Sequence, residues 1–144
     1  MDYDLANYFF EEASKAFAFL VDEYSFAAPQ IESNENIDFT IVTFLGKHLA
    51  IECILDQRED DIDCKVARVI NGKKTSHYSV DENRVRVREG LYSLLRRQGV
   101  RDRLFRRVQG LELRERIKVT LSDFAEMLRQ HGNAILSDSA MALD

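Results

Sequence analysis

The sequence predicts an α+β fold: an N-terminal helix, an antiparallel meander of four to five strands, then C-terminal helices packed on the sheet. Three observations carry this reading. Apolar residues recur every three or four positions near both ends of the chain. Runs rich in β-branched and aromatic residues, bounded by turn residues, occupy the middle. Elements segregated in this order place helices on one face or end of an antiparallel sheet. The chain of 144 residues fits a single domain spanning 1–144.

Residues 4–24 (DLANYFFEEASKAFAFLVDEY) read as one amphipathic helix. Leu5, Phe9, Ala13, Ala16, Phe17, Leu20 and Tyr24 make its apolar face, with acids and Lys15 mostly between them. Pro29 cannot continue a helix and marks the change to extended chain. Ser33-Asn34-Glu35-Asn36 is a turn cluster, and residues 37–45 (IDFTIVTFL) follow as a strand. Gly46-Lys47-His48 breaks it before a second strand at 49–56, LAIECILD. There Leu49, Ile51, Cys53 and Leu55 share one face, and Ala50, Glu52 and Ile54 the other. This sheet is therefore expected to be partly covered on both sides.

DQREDDIDCK (56–65) is then read as the connection to KVARVI (65–70). Asn71-Gly72 joins that run to KKTSHYSV (73–80), and Asn-Gly is the strongest short hairpin signal. VREGLYSLLRRQG predicts a helix with Val87, Leu91, Leu94 and Leu95 on one face and Gly99 beyond its C-terminus. A shorter helix is expected to end at Gly110. Residues 111–121 suit a strand by alternation and a helix by the spacing of Leu113, Ile117 and Leu121. Thr120 to Asp123 resembles a helix start, with Leu121, Phe124, Ala125 and Leu128 forming a face that stops at Gly132.

Composition narrows the function classes. No run of about 18 apolar residues occurs, so no membrane span is expected. The start Met1-Asp2-Tyr3-Asp4 lacks a secretory signal pattern. Cys53 and Cys64 lie in apolar contexts as free buried thiols, which fits a cytoplasmic location. His48, His77 and His131 show no metal spacing, and no glycine loop or serine elbow is present, so no cofactor is expected. The net charge of −5 hides an asymmetry: residues 1–64 hold fifteen acids and three bases, net −12, and residues 65–144 ten acids and seventeen bases, net +7. Such asymmetry speaks to surfaces and association rather than fold.

Two constellations stand out. The first is the acidic run, with five carboxylates in ten residues. It fails as a calcium loop, because no glycine follows the alternating acids and Ile70 stands at the twelfth position. Asp63-Cys64-Lys65 does match the D-x-K of a Mg-dependent nuclease of the PD-(D/E)-x-K type, with Asp56 or Glu52 as the other carboxylate. The preceding "PD" is missing. A solvated loop explains the run most simply, and Glu59, Asp60, Asp61 and Asp63 otherwise form an acidic patch for a basic partner. The second constellation is basic: Arg84, Arg86 and Arg88, then Arg96, Arg97, Arg101, Arg103, Arg106 and Arg107. Guanidinium groups bind phosphate. The sequence pI of about 5.3 and the lack of a DNA-binding motif argue against nucleic acid. A solvated or internally paired surface is the expectation.

FLVDEYSF (19–26) before a strand series, with DFAEMLRQHGNAILSD (123–138), resembles small bacterial cytoplasmic α+β proteins, some similar to immunity proteins of toxin systems. That resemblance implies a non-enzymatic protein-binding module that neutralises a toxin by occlusion. It transfers no functional residue. The alternatives are the nuclease above and a self-associating protein that pairs its acidic and basic halves.

Overall fold

The chain is described from a computed structural model, which covers residues 3–34, 38–75, 80, 82–101 and 108–144. Two helices open it, α1 (Tyr3–Ala16) and α2 (Ala18–Tyr24). The strands β1 (Gln30–Asn34), β2 (Phe39–Leu45), β3 (Leu49–Asp56), β4 (Asp61–Ile70) and β5 (Lys73–Lys74) then follow as an antiparallel meander. Strand β6 (Arg88–Gly90) also pairs with β4 and leads directly into α3 (Leu91–Arg97). Helices α4 (Leu113–His131) and α5 (Asn133–Leu136) close the order. The α+β class and the helix–meander–helix sequence are as the pattern predicts.

Alternation assigns the two sides of the sheet. Leu49, Ile51, Cys53 and Leu55 of β3 face Arg68, Val66, Cys64 and Ile62 of β4. With Val42 and Phe44 of β2 these apolar side chains join one core with α1, α2 and α4. The helices contribute Leu5, Phe9, Phe17 and Leu20 from the N-terminus and Ile117, Leu121 and Leu128 from α4. Tyr8 fastens α1 to α4: its hydroxyl donates to Arg114 O at 3.0 Å, under the Arg114 guanidinium.

The sheet is curled. On a flat sheet β1 lies three strand spacings from β4, about 14 Å, farther than a lysine side chain spans. Lys74 of β5 pairs with Val69 of β4, yet its ammonium reaches Glu32 of β1 at 3.2 Å. The curl therefore brings β5 over the face turned away from the helices. The turn that starts it is Asn71-Gly72, with φ of 53° and 77°, as the Asn-Gly signal requires.

Several expectations are corrected. Residues 4–24 form two helices with a bend at Phe17, whose ring lies 5.7 Å from Phe44 and 6.2 Å from Phe19. A one-residue bend preserves apolar spacing, so periodicity does not reveal it. Strand β4 begins at Asp61, so the connection is only residues 57–60, and Ile62 enters the core. Val87 is buried but extended: its carbonyl accepts from Arg68 N–H at 2.8 Å, one step before β6. Residues 111–121 resolve as helix from Leu113, and the Glu112 carboxylate caps α4 by accepting from Glu115 N–H at 3.0 Å. Thr120 to Asp123 is thus mid-helix. Leu113, Ile117 and Leu121 are four apart, and packing on α1 selects the helical reading over the alternating one. Ser33 and Asn34 belong to β1, whereas Glu35 and Asn36 lie outside the described residues. The shorter helix expected before Gly110 falls largely on 102–107, also outside them. So do residues 76–79 of the strand expected at 73–80, His77 among them, whereas Lys73–Lys74 form β5. No described helix is long and apolar enough to cross a membrane.

Candidate partner-binding face

The face turned away from the helices is written by strand register as successive rows. Leu45, Ala50, Ala67 and Arg88 make one row; Gln30, Thr43, Glu52 and Lys65 make the next. Beyond them come Glu32, Ile41, Ile54 and Asp63, and then Phe39, Asp56 and Asp61. The first two rows are largely buried and the last two are largely half-exposed. The boundary is where β5 folds over.

A closed ion network fills the buried end. Glu52 is 1% exposed. Arg88 grips it in a fork, Nε to Oε1 at 2.8 Å and Nη2 to Oε2 at 3.1 Å. Lys74 Nζ donates to Glu52 Oε2 at 2.9 Å and to Thr43 Oγ1 at 3.0 Å. Arg88 also donates to Thr75 O at 3.1 Å. Burial alone would raise the Glu52 carboxyl, but the bonds and charges of Arg88 and Lys74 outweigh it and hold it below its ordinary range. With Glu32 the four charges balance, and the carboxylate oxygens are taken. This cluster fixes β5 and β6 to the sheet and leaves no reactive group free.

At the half-exposed end, Phe39, Ile41 and Ile54 form an apolar centre. Carboxylates flank it: Glu32 on one side, Asp56, Asp61 and Asp63 on the other. Glu59 and Asp60 extend the acidic rim at the exposed tip between β3 and β4. Among the described residues no basic side chain forms an ion pair with Asp56, Glu59, Asp60, Asp61 or Asp63. Partial burial raises the Asp63 carboxyl above its ordinary range, the Cys64 N–H and Lys65 opposing and Asp61 adding to the rise. Arg116 of α4 reaches the tip only through backbone, donating to Asp60 O at 3.0 Å.

The nuclease arrangement gains no support from these positions. Asp63 and Lys65 do share this face. Asp56, however, turns inward to cap its own loop, accepting from Arg58 N–H at 3.0 Å and Glu59 N–H at 3.3 Å. Glu52, the other carboxylate considered, is bound by Arg88 and Lys74. Among the described residues no group of three or more His, Cys, Asp or Glu is placed to hold a metal ion.

Of the basic constellation, Arg86, Arg88, Arg96, Arg97 and Arg101 are each engaged within the chain. Arg97 binds Glu89 at 2.8 Å and donates to Leu143 O at 3.2 Å and Asp144 O at 3.0 Å. Arg96 lies 5.7 Å from the Tyr92 ring centre, and Arg101 donates to Arg96 O at 2.6 Å. Arg86 lies 3.7 Å from Glu89, and Arg88 is buried. Arg103, Arg106 and Arg107 lie outside the described residues. Sequence reasoning missed the Glu52–Arg88–Lys74 network. Its one visible signal was Glu52 itself, a carboxylate amid LAIECILD on the side opposite the core.

Compared with known proteins, the chain matches no family model, no curated protein and no solved structure. The resemblance drawn from its two ends rests on the chain's own residues and element order.

Proposed function

We propose that this chain is a non-enzymatic protein-binding module, and that its partner is a basic protein docking on the half-exposed end of the helix-free sheet face. The observation that carries the reading is the row Glu32–Ile41–Ile54–Asp63. It sets two half-exposed isoleucines between two carboxylates on regular strands, beside the further acids Asp56 and Asp61. Apolar centres with polar rims are the common anatomy of protein interfaces. Glu32 is already paired with Lys74, but Asp56, Asp61 and Asp63 form no ion pair among the described residues and are available to Lys and Arg of a partner, which raises association rate and selects partners.

The immunity-protein resemblance fits the same mode of action. Occlusion needs a rigid surface of complementary charge and no catalytic group. A toxin whose working surface is basic is the partner of this kind, and the cytoplasm of a bacterium is where it would be met.

The test is affinity capture from the source cells with the wild-type chain and with Ile54→Asp, both checked for folding by circular dichroism. A basic protein retained by the wild type and lost with the variant supports the reading. Equal recovery of the same protein by both places the interface elsewhere.

A further inference from the structure

Cys53 and Cys64 take no part in the proposed docking face; both are fully buried on the helix side of the sheet. They are direct partners across β3 and β4. The hydrogen-bonding phase of this ladder follows from its end. Val69 N–H donates to His48 O at 2.9 Å, one step beyond the Leu49–Arg68 pair. Hydrogen-bonded and non-hydrogen-bonded pairs alternate along an antiparallel ladder. Counting inward, Ala50–Ala67 and Glu52–Lys65 are hydrogen-bonded, and Cys53–Cys64 is not. Two other bonds agree with this phase. Arg68 N–H points away from β3 to Val87 O. Cys64 N–H, likewise turned from β3, donates to the Asp63 carboxylate at 2.8 Å.

A non-hydrogen-bonded pair brings its Cα atoms to about 4.5 Å, with the side chains closest there. Disulfides span Cα separations of about 4.4–6.8 Å. Both side chains are fully buried on the same face of the sheet. We infer that Cys53 and Cys64 are a disulfide-forming pair, closed across β3 and β4 by exchange with a low-molecular-weight disulfide such as oxidised glutathione.

The exchange balances in two steps. One cysteine thiolate attacks a sulfur of the small disulfide, whose S–S bond breaks and releases one reduced thiol. The second cysteine thiolate then attacks the protein-bound sulfur, forms the Cys53–Cys64 bond and releases the second small thiol. The two protein thiols give up two electrons and two protons, and the small disulfide takes both. The neighbouring Cys53 thiol, together with burial, pushes the Cys64 thiol well above its ordinary range, and only thiolates attack. Exchange therefore proceeds through transient opening of the β3–β4 pairing. The product clamps the two strands that carry Ile54 and Asp63 on their opposite face. This inference does not depend on the partner-binding reading.

The test treats the full chain with oxidised glutathione in two arms, folded and during refolding from urea, followed by alkylation and intact-mass measurement. The expected product is lighter by about 2 Da, retains no glutathione, resists alkylation and is restored by dithiothreitol. Its far-ultraviolet dichroism is unchanged, and Cys53→Ser and Cys64→Ser each stop at a glutathione adduct. The inference is overturned if the wild type in both arms stays fully alkylatable or retains glutathione. Loss of the native dichroism on oxidation overturns it as well.

Discussion

At the scale of single residues, the strongest constraint is Glu52. Removing one partner of a buried ion pair leaves an uncompensated charge, which costs about 3–5 kcal/mol. Arg88→Ala is expected to fall in that range by urea denaturation, since Arg88 supplies the fork on Glu52. The pH dependence has two signs. Glu52 is held below its ordinary range, so its stabilisation is present above that range and is lost as pH falls through the lowered value. Asp63 is raised, so the folded state favours its protonated form, and stability is lost as pH rises through the raised value. Asp63→Asn should therefore stabilise the protein at neutral pH, with the gain vanishing in acid. Equal stability of both proteins at neutral pH would show that Asp63 is not strained by burial.

At the scale of elements, the β2–β3 turn depends on the C-terminal segment. Asp138 accepts from Lys47 N–H at 2.6 Å, His48 N–H at 3.0 Å and Leu49 N–H at 2.9 Å. Arg68 binds Ala140 O and Asp144 farther along the same segment. Asp138→Ala removes the shared acceptor and should cost about 1–3 kcal/mol. Faster amide exchange at Leu49 would report the loss, and unchanged exchange would contradict it. The Asn71-Gly72 turn places Lys74. Gly72→Ala, at φ of 77°, should cost about 1 kcal/mol through backbone strain.

Legibility varied with how local each cause was. The meander, the Asn-Gly turn and the α4 face could be read because alternation, left-handed turn residues and four-residue spacing are local. Asp61 and Asp63 looked like loop because of their charge, although Ile62, Cys64 and Val66 already alternated with them. The acidic rim was legible from composition. Its apolar centre was not, because only register brings Ile41 beside Ile54. The ion network was hidden for the same reason: Glu52, Lys74 and Arg88 meet only once the sheet curls.

At the scale of the molecule, the acidic and basic halves of the sequence are interleaved. Glu32 and Glu52 pair with Lys74, Glu52 with Arg88, and Glu23 with Arg129. These contacts absorb part of the charge asymmetry inside one chain. Among the described acids left without such pairs, Asp56, Glu59, Asp60, Asp61 and Asp63 cluster at the tip and on the helix-free face, while others such as Glu11, Asp22 and Glu126 are spread over the helices. Long-range attraction between exposed charges is screened within about 10 Å at 0.1 M salt. Partner association should therefore slow as salt rises, by about tenfold or more between low and physiological ionic strength.

The most direct measurement is the association rate of the captured partner with the wild type and with the double variant Asp60→Lys, Asp61→Lys, followed across ionic strength. The account predicts a rate that falls steeply with salt for the wild type, and a slower, nearly salt-independent rate for the variant. Identical rates and identical salt dependence for the two proteins would contradict it.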